Sequence, residues 1–484
     1  MHPYALTAAL ACVLLPSGAA AHSFGQVYTL PVPLWLYAWG AAAALVASFV
    51  VVGLFATGQP RPALTDDTAH YPYRLPGALL RVLQALSLLA LVACIVTGLW
   101  GNRNPYANFN MTFFWIVFVL GFAYLTALVG DLYALINPWR LLARLLGRLW
   151  PGFEAGRLRY PARLGYAPAL LLYMAFIWIE LFGRTQPYTL ALLLCGYTAL
   201  NLLAVWLVGA GAWFRYGEFF GVFLRLIARM APVAFAHEHG GRPGPAFALR
   251  WPLAGLLGAP FAHLSLLLFL LFMLSSTAFD GLHESQAWFR LYWAQLYPQL
   301  LVDWVGSNPL QAYPRLRALY AHWQTGWLLL SPFLYLLAYL VAVGLMAWIT
   351  GRGWRLRELA LRFAPTLLPI ALVYHVTHYY TLIQTQGVKI IALVSDPFGR
   401  GQDWLGTAHW FSGHIIPDIT VVWHVQVGLI VLGHIASVYL AHLEALRCFG
   451  DRRLAVLSQL PMLVLMVAFT TAGLWILAQP IQNG

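Results

Sequence analysis

The chain has very little charge. Asp, Glu, Lys and Arg together make up 9% of its 484 residues, whereas 61% are hydrophobic. Soluble domains carry roughly 25% charged residues, so this composition excludes an ordinary water-soluble protein, and no stretch is long and polar enough to form a separate soluble domain. The composition instead predicts an all-α polytopic integral membrane protein in contact with the lipid bilayer.

Cysteine, methionine and recognisable catalytic motifs are also scarce. The four cysteines form no C-x-x-C pair, so neither a disulfide framework nor a thiolate cluster is expected. The eight methionines are scattered, which disfavours a copper(I) path through thioether ligands. The sequence contains no G-x-S-x-G elbow, H-E-x-x-H pair, phosphate-binding loop or dinucleotide fingerprint, so nucleotide and nicotinamide chemistry are unsupported.

Ten apolar segments dominate what is present. Each is about 19–26 residues long, and about 20 residues suffice for a helix to cross the hydrocarbon core of a bilayer. The sequence therefore predicts a helical bundle of about ten transmembrane helices. They cover residues 34–57, 77–100, 111–136, 164–182, 188–208, 256–279, 324–349, 365–384, 419–443 and 454–477.

Residues 1–21 read as a cleaved signal peptide. Their apolar stretch is too short to span a membrane and is followed by three alanines, which fits the small-residue rule for cleavage. Residues 22–484 then form a single transmembrane domain that begins with His22. Two further segments, near 213–235 and 286–305, mix aromatic, apolar and charged residues and are expected to be amphipathic helices in the membrane interface.

The placement of basic residues predicts the orientation. If His22 lies outside, 21 of the 28 Lys and Arg residues fall on the inner side, as the positive-inside rule requires. The N-terminus and the loop 387–417 then face the periplasmic side of a bacterial inner (plasma) membrane. The net charge of +12 needs no nucleic-acid partner, because these residues anchor the topology against anionic lipid.

Histidines concentrate in the segment 371–447, which holds seven of the fifteen in the chain. His375 and His378 are three residues apart and therefore share one face of a helix. His424 lies at a similar depth in the next span, and adjacent helices pack about 8–10 Å apart, so its ring is expected within reach of the other two. This grouping predicts a metal site.

Two more histidines extend the metal hypothesis. As an N-terminal residue, His22 would offer its α-amine and its ring nitrogen to one ion, a pair that suits copper. His434 lies about 15 Å deeper than His424, and its pairing with His375 would suit a haem instead. The expected cofactor is a divalent transition metal, copper or zinc, with haem as the alternative.

Carboxylates are expected near the same side of the membrane. Asp396 opens an Asp-Pro turn followed by two glycines, and Asp403 comes shortly after it. Asp396 serves as a turn cap or supplies a ligand or base, and Asp396 and Asp403 are both candidate catalytic residues. The same predicted face also carries Glu180, Asp280, His283, Glu284, His409 and His414.

Several short motifs stand out along the chain: His22-Ser23-Phe24-Gly25, Val27-Tyr28-Thr29-Leu30-Pro31, Ser395-Asp396-Pro397-Phe398-Gly399, Val425-Gln426-Val427, Gly433-His434 and Ala441-His442. Together they resemble bacterial membrane proteins known as fenitrothion hydrolase. The resemblance implies a membrane-bound hydrolase of organophosphorus triesters that acts with partner subunits. It implies no particular catalytic residues.

The residues and the resemblance meet in one hypothesis, a metal-dependent phosphotriester hydrolase whose metal lowers the pKa of a bound water towards about 7. Three other readings stay open. One is a copper-handling or other transition-metal transport protein, the second is a haem-bearing redox subunit of the membrane, and the third is a structural membrane scaffold.

Overall fold

A computed structural model describes residues 33–55, 71–236, 245–351, 353–411, 413 and 415–479. Most of these residues are helical, and nine helices among them are long and apolar enough to cross a membrane. The predicted all-α polytopic bundle is therefore confirmed. His22 and the segment 1–21 lie outside the described residues, so the predictions about them stay predictions.

Ten helices correspond in order to the ten predicted spans. They are α1 (Leu34–Phe55), α2 (Gly77–Trp100), α3 (Phe109–Val129), α4 (Ala167–Phe182), α5 (Pro187–Val208), α6 (Leu264–His283), α7 (Pro309–Thr350), α8 (Leu368–His378), α9 (Ile419–Phe449) and α10 (Arg452–Leu477). Of these, α4 has 16 residues, or about 24 Å of helix, and is not among the nine. The apolar segment that includes α8 is longer than α8 itself and covers Leu356–His378.

Shorter helical pieces join these elements. Two stretches, within α3 and after α6, are π-helical: Thr112–Phe122 and Leu291–Leu301. The other short α-helices are Tyr133–Ile136, Pro138–Leu149, Ala210–Tyr216, Phe219–Ala228, Gln286–Arg290, Val302–Val305, Leu356–Phe363, Tyr380–Gln386 and Ile390–Ser395. Single 3₁₀ turns cover Pro105–Ala107, Phe153–Ala155, Ala162–Leu164, Ala254–Leu256, Ala364–Leu367 and Gly387–Lys389.

Helix boundaries depart from the sequence prediction where polar or proline residues sit inside a helix. The 42-residue α7 starts well before residue 324, where Asn308 caps its first turn by accepting a hydrogen bond from the backbone of Leu310. Conversely, the predicted span 365–384 is interrupted at Tyr379, between the helices Leu368–His378 and Tyr380–Gln386. Pro365 and Pro369 lie at its start, in a 3₁₀ turn and the first turn of α8, positions that lose no helical hydrogen bond.

A small antiparallel sheet, which the sequence analysis did not anticipate, joins two distant loops. Strands β1 (Tyr73–Arg74), β2 (Val233–Phe235) and β3 (Ala246–Leu249) pair in the order β1-β3-β2. The sheet ties the segment before α2 to the segment between α5 and α6. Both segments were predicted to lie on one side of the membrane.

The segment 213–235 runs into this sheet. Of the ten residues in its helix Phe219–Ala228, eight are buried, and seven of these belong to the main hydrophobic core of the bundle. Glu218 begins this helix, and its carboxylate accepts hydrogen bonds from the backbone N–H groups of Phe220 and Gly221.

Loop contacts define two faces of the bundle. On the first face, the loop after α2 meets the loop before α9, with the amide of Asn102 2.8 Å from the carbonyl oxygen of Phe398. On the second face, the amide of Phe261 donates to the carbonyl of Leu361 at 2.9 Å, and Arg362 lies 3.9 Å from Glu444. Loops that meet are those predicted to share a side.

Candidate acid–base site

Four side chains from three parts of the chain form one hydrogen-bonded cluster near the first face. The Nε2 atom of His378 lies 2.7 Å from Oδ2 of Asp280. The hydroxyl of Tyr379 lies 3.0 Å from the same Oδ2 atom and 3.0 Å from Oε1 of Glu180. The cluster therefore joins α4, α6 and the end of α8.

A break in the helix positions Tyr379. Its backbone has φ −94° and ψ 10°, in the bridge region where many active-site residues lie. The helix ends at His378 and restarts at Tyr380. The Tyr379 ring is packed between His375 and His378, with ring centroids 4.9 Å and 4.7 Å apart, so its hydroxyl is held towards both carboxylates.

The most buried long helix, α6, supplies Asp280. Only 4% of Asp280 is exposed. Beside it, Nδ1 of His283 lies 3.1 Å from the Asp280 carbonyl oxygen. Just beyond the helix end, burial, together with the negative charge of Asp280, raises the pKa of Glu284 to about 7. The end of α6 thus brings two acids and a histidine together.

A second hydrogen bond and a small cavity extend the site towards α3. The hydroxyl of Tyr124 lies 3.0 Å from Nδ1 of His375. His375 and Glu180 both line a cavity that offers about 20 Å³ to the centre of a water molecule, which is room for one water. The remaining wall is largely aromatic: Phe118, Tyr173, Phe176, Phe219, Phe220 and Phe223.

The other predicted histidine ligands lie elsewhere. His424 on α9 is exposed; its Nδ1 is 2.7 Å from the carbonyl oxygen of Thr420, and its Nε2 is 3.4 Å from the hydroxyl of Tyr37. His434 is 2% exposed, with Nδ1 2.8 Å from the carbonyl oxygen of Ile430. Each ring is engaged within its own helix or with α1, away from the cluster.

These contacts bear on the metal and haem hypotheses. In the described part of the chain, no group of three or more His, Cys, Asp or Glu side chains is arranged to hold a metal ion. Nδ1 of His375 is hydrogen-bonded to the hydroxyl of Tyr124, and Nε2 of His378 is hydrogen-bonded to the carboxylate of Asp280. Because His22 lies outside the described residues, a metal site that includes it stays a prediction.

The two candidate catalytic aspartates serve their own loop. The carboxylate of Asp396 accepts hydrogen bonds from the amides of Arg400 and Gly401, at 3.0 Å and 2.7 Å. Asp403 accepts a 2.7 Å hydrogen bond from the hydroxyl of Ser395, and this bond holds the pKa of Asp403 below its usual value. The contacts of Asp396 are those of a turn cap, and Asp403 binds a side chain of the same loop.

Sequence reasoning found part of this site. His375 and His378 were singled out, and Asp280 and Glu180 were placed on the same side. Tyr379 and Tyr124 were missed, although the adjacency of Tyr379 to His378 in an apolar span was a usable signal. No family model, curated protein or solved structure matches the chain in searches against known proteins.

Proposed function

We propose that the cluster of His378, Asp280, Tyr379 and Glu180 binds and transfers protons, and that the chain is a proton-linked membrane protein. The observation that carries this proposal is the continuous hydrogen-bonded chain of four titratable side chains from three helices. Ionisable groups cost free energy inside an apolar bundle, and those found in membrane proteins commonly belong to ion or proton pathways.

The geometry around Tyr379 supports transfer rather than simple binding. A hydroxyl has one hydrogen, yet this hydroxyl is 3.0 Å from a carboxylate oxygen on either side. The hydroxyl can donate its hydrogen to only one of them. For both contacts to be hydrogen bonds, the other carboxyl must be protonated and donate its hydrogen to the Tyr379 oxygen. When Glu180 donates its proton to the Tyr379 oxygen, Tyr379 can pass its own proton to Asp280, and the charge moves between the two carboxylates.

A comparison with another buried acid sharpens the point. Glu444 on the second face is 3% exposed and lies 3.9 Å and 3.6 Å from Arg362 and Arg447. Arginine does not release its proton in proteins, so Glu444 forms ion pairs with partners that do not exchange protons. Asp280 is bonded instead to histidine and tyrosine, whose protons are exchangeable.

We further propose that the first face is the periplasmic side of a bacterial inner membrane. The support is the uneven distribution of basic residues, since 21 of 28 fall in the loops that alternate with those of this face or, for Arg81, at the adjoining end of a span. On this orientation the cluster takes up protons from the periplasm, through the ends of α4 and α6.

Difference infrared spectroscopy of the protein in lipid, recorded across a pH titration, tests the proposal. We expect a carboxyl C=O band that titrates and shifts in D₂O, altered in both Glu180→Gln and Asp280→Asn. The matched control is His424→Gln, which removes a histidine of a neighbouring span outside the cluster. Identical titrating bands in the wild type and in both cluster variants would contradict the proposal.

A second candidate is the phosphotriester hydrolase of the resemblance. It is favoured by the Asp280–His378 pair, because a carboxylate bonded to one ring nitrogen orients histidine as a general base. His378 is also 17% exposed. In this reaction the other nitrogen takes a proton from water, the water oxygen bonds to phosphorus, and the P–O bond to the phenolate breaks. A divalent metal, if bound, would polarise the phosphoryl oxygen.

Hydrolysis of a nitrophenyl phosphotriester by purified protein, together with elemental analysis of the same sample, tests this candidate. We expect activity to be lost in His378→Gln and retained in His424→Gln. Asp396→Asn and Asp403→Asn should also retain it, since both carboxylates are hydrogen-bonded within their own loop. Equal activity in His378→Gln and the wild type, or none in either, would rule the candidate out.

A further inference from the structure

Another buried carboxylate, that of Glu218, lies towards the second face of the bundle. Glu218 has no exposed surface. Its oxygens accept a 2.7 Å hydrogen bond from the hydroxyl of Tyr197 and a 3.0 Å hydrogen bond from the amide nitrogen of Asn137, besides the two backbone amides of its own helix. It is a carboxyl held entirely by neutral donors.

The aromatic cavity separates this carboxyl from the first-face cluster. Glu180 and His375 line the cavity, and so do Phe219 and Phe220, the two residues that directly follow Glu218. Tyr197 packs edge-on against the rings of both phenylalanines, with centroids 5.6 Å and 5.8 Å away. The cavity thus contacts both the first-face cluster, through Glu180, and the residues that follow Glu218.

An unpartnered hydroxyl marks the same region. Tyr133 is 1% exposed, and its hydroxyl has no hydrogen-bond partner among the described residues. Its ring lies 6.0 Å from that of Phe118, which lines the cavity. The short helix Tyr133–Ile136 packs against Phe219–Ala228, the helix that Glu218 caps. A buried hydroxyl without a partner is costly, so its presence here calls for a role.

We infer that protons cross the bundle from the first-face cluster, through cavity water and the Tyr133 hydroxyl, to Glu218. The inference rests on the proposed function, because the cluster is the entry point. At each hop one O–H bond breaks and another forms, no electrons are transferred, and the proton leaves at the second face beside Asn137. Glu180 and His375 supply polar partners that a water in the cavity needs.

The experiment uses the full chain in liposomes that contain a pH-sensitive dye, with a potassium diffusion potential as driving force. Tyr133→Phe removes a hydroxyl that makes no hydrogen bond within the described part of the chain, so we expect the fold to be kept and proton flux to fall about tenfold. Tyr374→Phe is the matched control. Its hydroxyl is also buried without a partner among the described residues. Its ring packs in a separate apolar cluster with Ala278, Ile430 and Leu474, whereas the Tyr133 ring packs against the cavity wall at Phe118, so wild-type flux is expected.

Two results would overturn the inference. One is a wild-type flux no greater than that of empty liposomes. The other is equal flux in Tyr133→Phe and Tyr374→Phe. Neither flux result affects the infrared titration of Glu180 and Asp280, which is a separate measurement. Failure of the transmembrane path is therefore distinguishable from failure of the acid–base site. A flux that falls in Tyr133→Phe and in Glu218→Gln, with Tyr374→Phe unchanged, supports the path.

Discussion

Removing the Tyr379 hydroxyl is the most direct perturbation of the acid–base site. The substitution Tyr379→Phe deletes two contacts of 3.0 Å, to Asp280 and Glu180. A hydrogen bond to a charged group contributes about 1.5–3 kcal/mol. Asp280 keeps its contact with His378, whereas Glu180 loses its bonded hydroxyl. We therefore expect a loss of about 3 kcal/mol rather than the sum of two full bonds.

The control for this prediction is Tyr339→Phe. Tyr339 has no exposed surface, and its hydroxyl donates one 2.8 Å hydrogen bond to the neutral carbonyl of Ala360, so a loss of about 1 kcal/mol is expected. Unfolding both variants in mixed micelles by titration with denaturing detergent compares them. If Tyr379→Phe is no more destabilising than Tyr339→Phe, the reasoning about the cluster is wrong.

Two further predictions concern the loop before α9. The hydrogen bond from Ser395 lowers the pKa of Asp403. The ionised Asp403 therefore stabilises the loop fully above the usual aspartate pKa, and this stabilisation of the loop is lost as the pH falls through the lowered pKa. Hydrogen exchange of residues 395–408, corrected for intrinsic rates, should quicken in acid in the wild type but show no such step in Asp403→Asn. Separately, Gly399→Ala should lower the melting temperature more than Gly401→Ala. Both glycines have positive φ, but a methyl group on Gly399 would meet the carbonyl oxygen of Ala107, whereas Gly401 faces open space. Equal shifts would mean that the contact between the two loops contributes nothing.

The apolar runs were enough to predict the helices, because a segment that crosses a bilayer must be both long and hydrophobic. The prediction of element boundaries and of the strands was wrong where the hydrophobic pattern of the sequence is weaker. The first turns of α7 are too polar to read as a span, and β1 to β3 are only two to four residues long. Strands this short have no periodicity to detect.

The site was harder to predict because its parts are far apart in sequence. Periodicity placed His375 and His378 on one helix face, but it does not tell which helix that face meets. Glu180 lies 199 residues from Tyr379, and Asp280 lies 99 residues from it. Only the packing of α4 and α8 on either side of α6 brings them together, which is why His424, in the neighbouring span, looked like the better partner.

The length of α7 has a mechanical consequence. Its 42 residues make a helix of roughly 63 Å, about twice the ~30 Å hydrocarbon thickness of a bilayer, so α7 is long enough to extend beyond a bilayer that its apolar residues 324–349 cross. Ser331 of α7 donates a 2.8 Å hydrogen bond to Ser275 of α6, little more than one turn before Asp280. A displacement of α7 at the exposed Arg315 or Arg317 would therefore act directly on the helix that holds the buried aspartate.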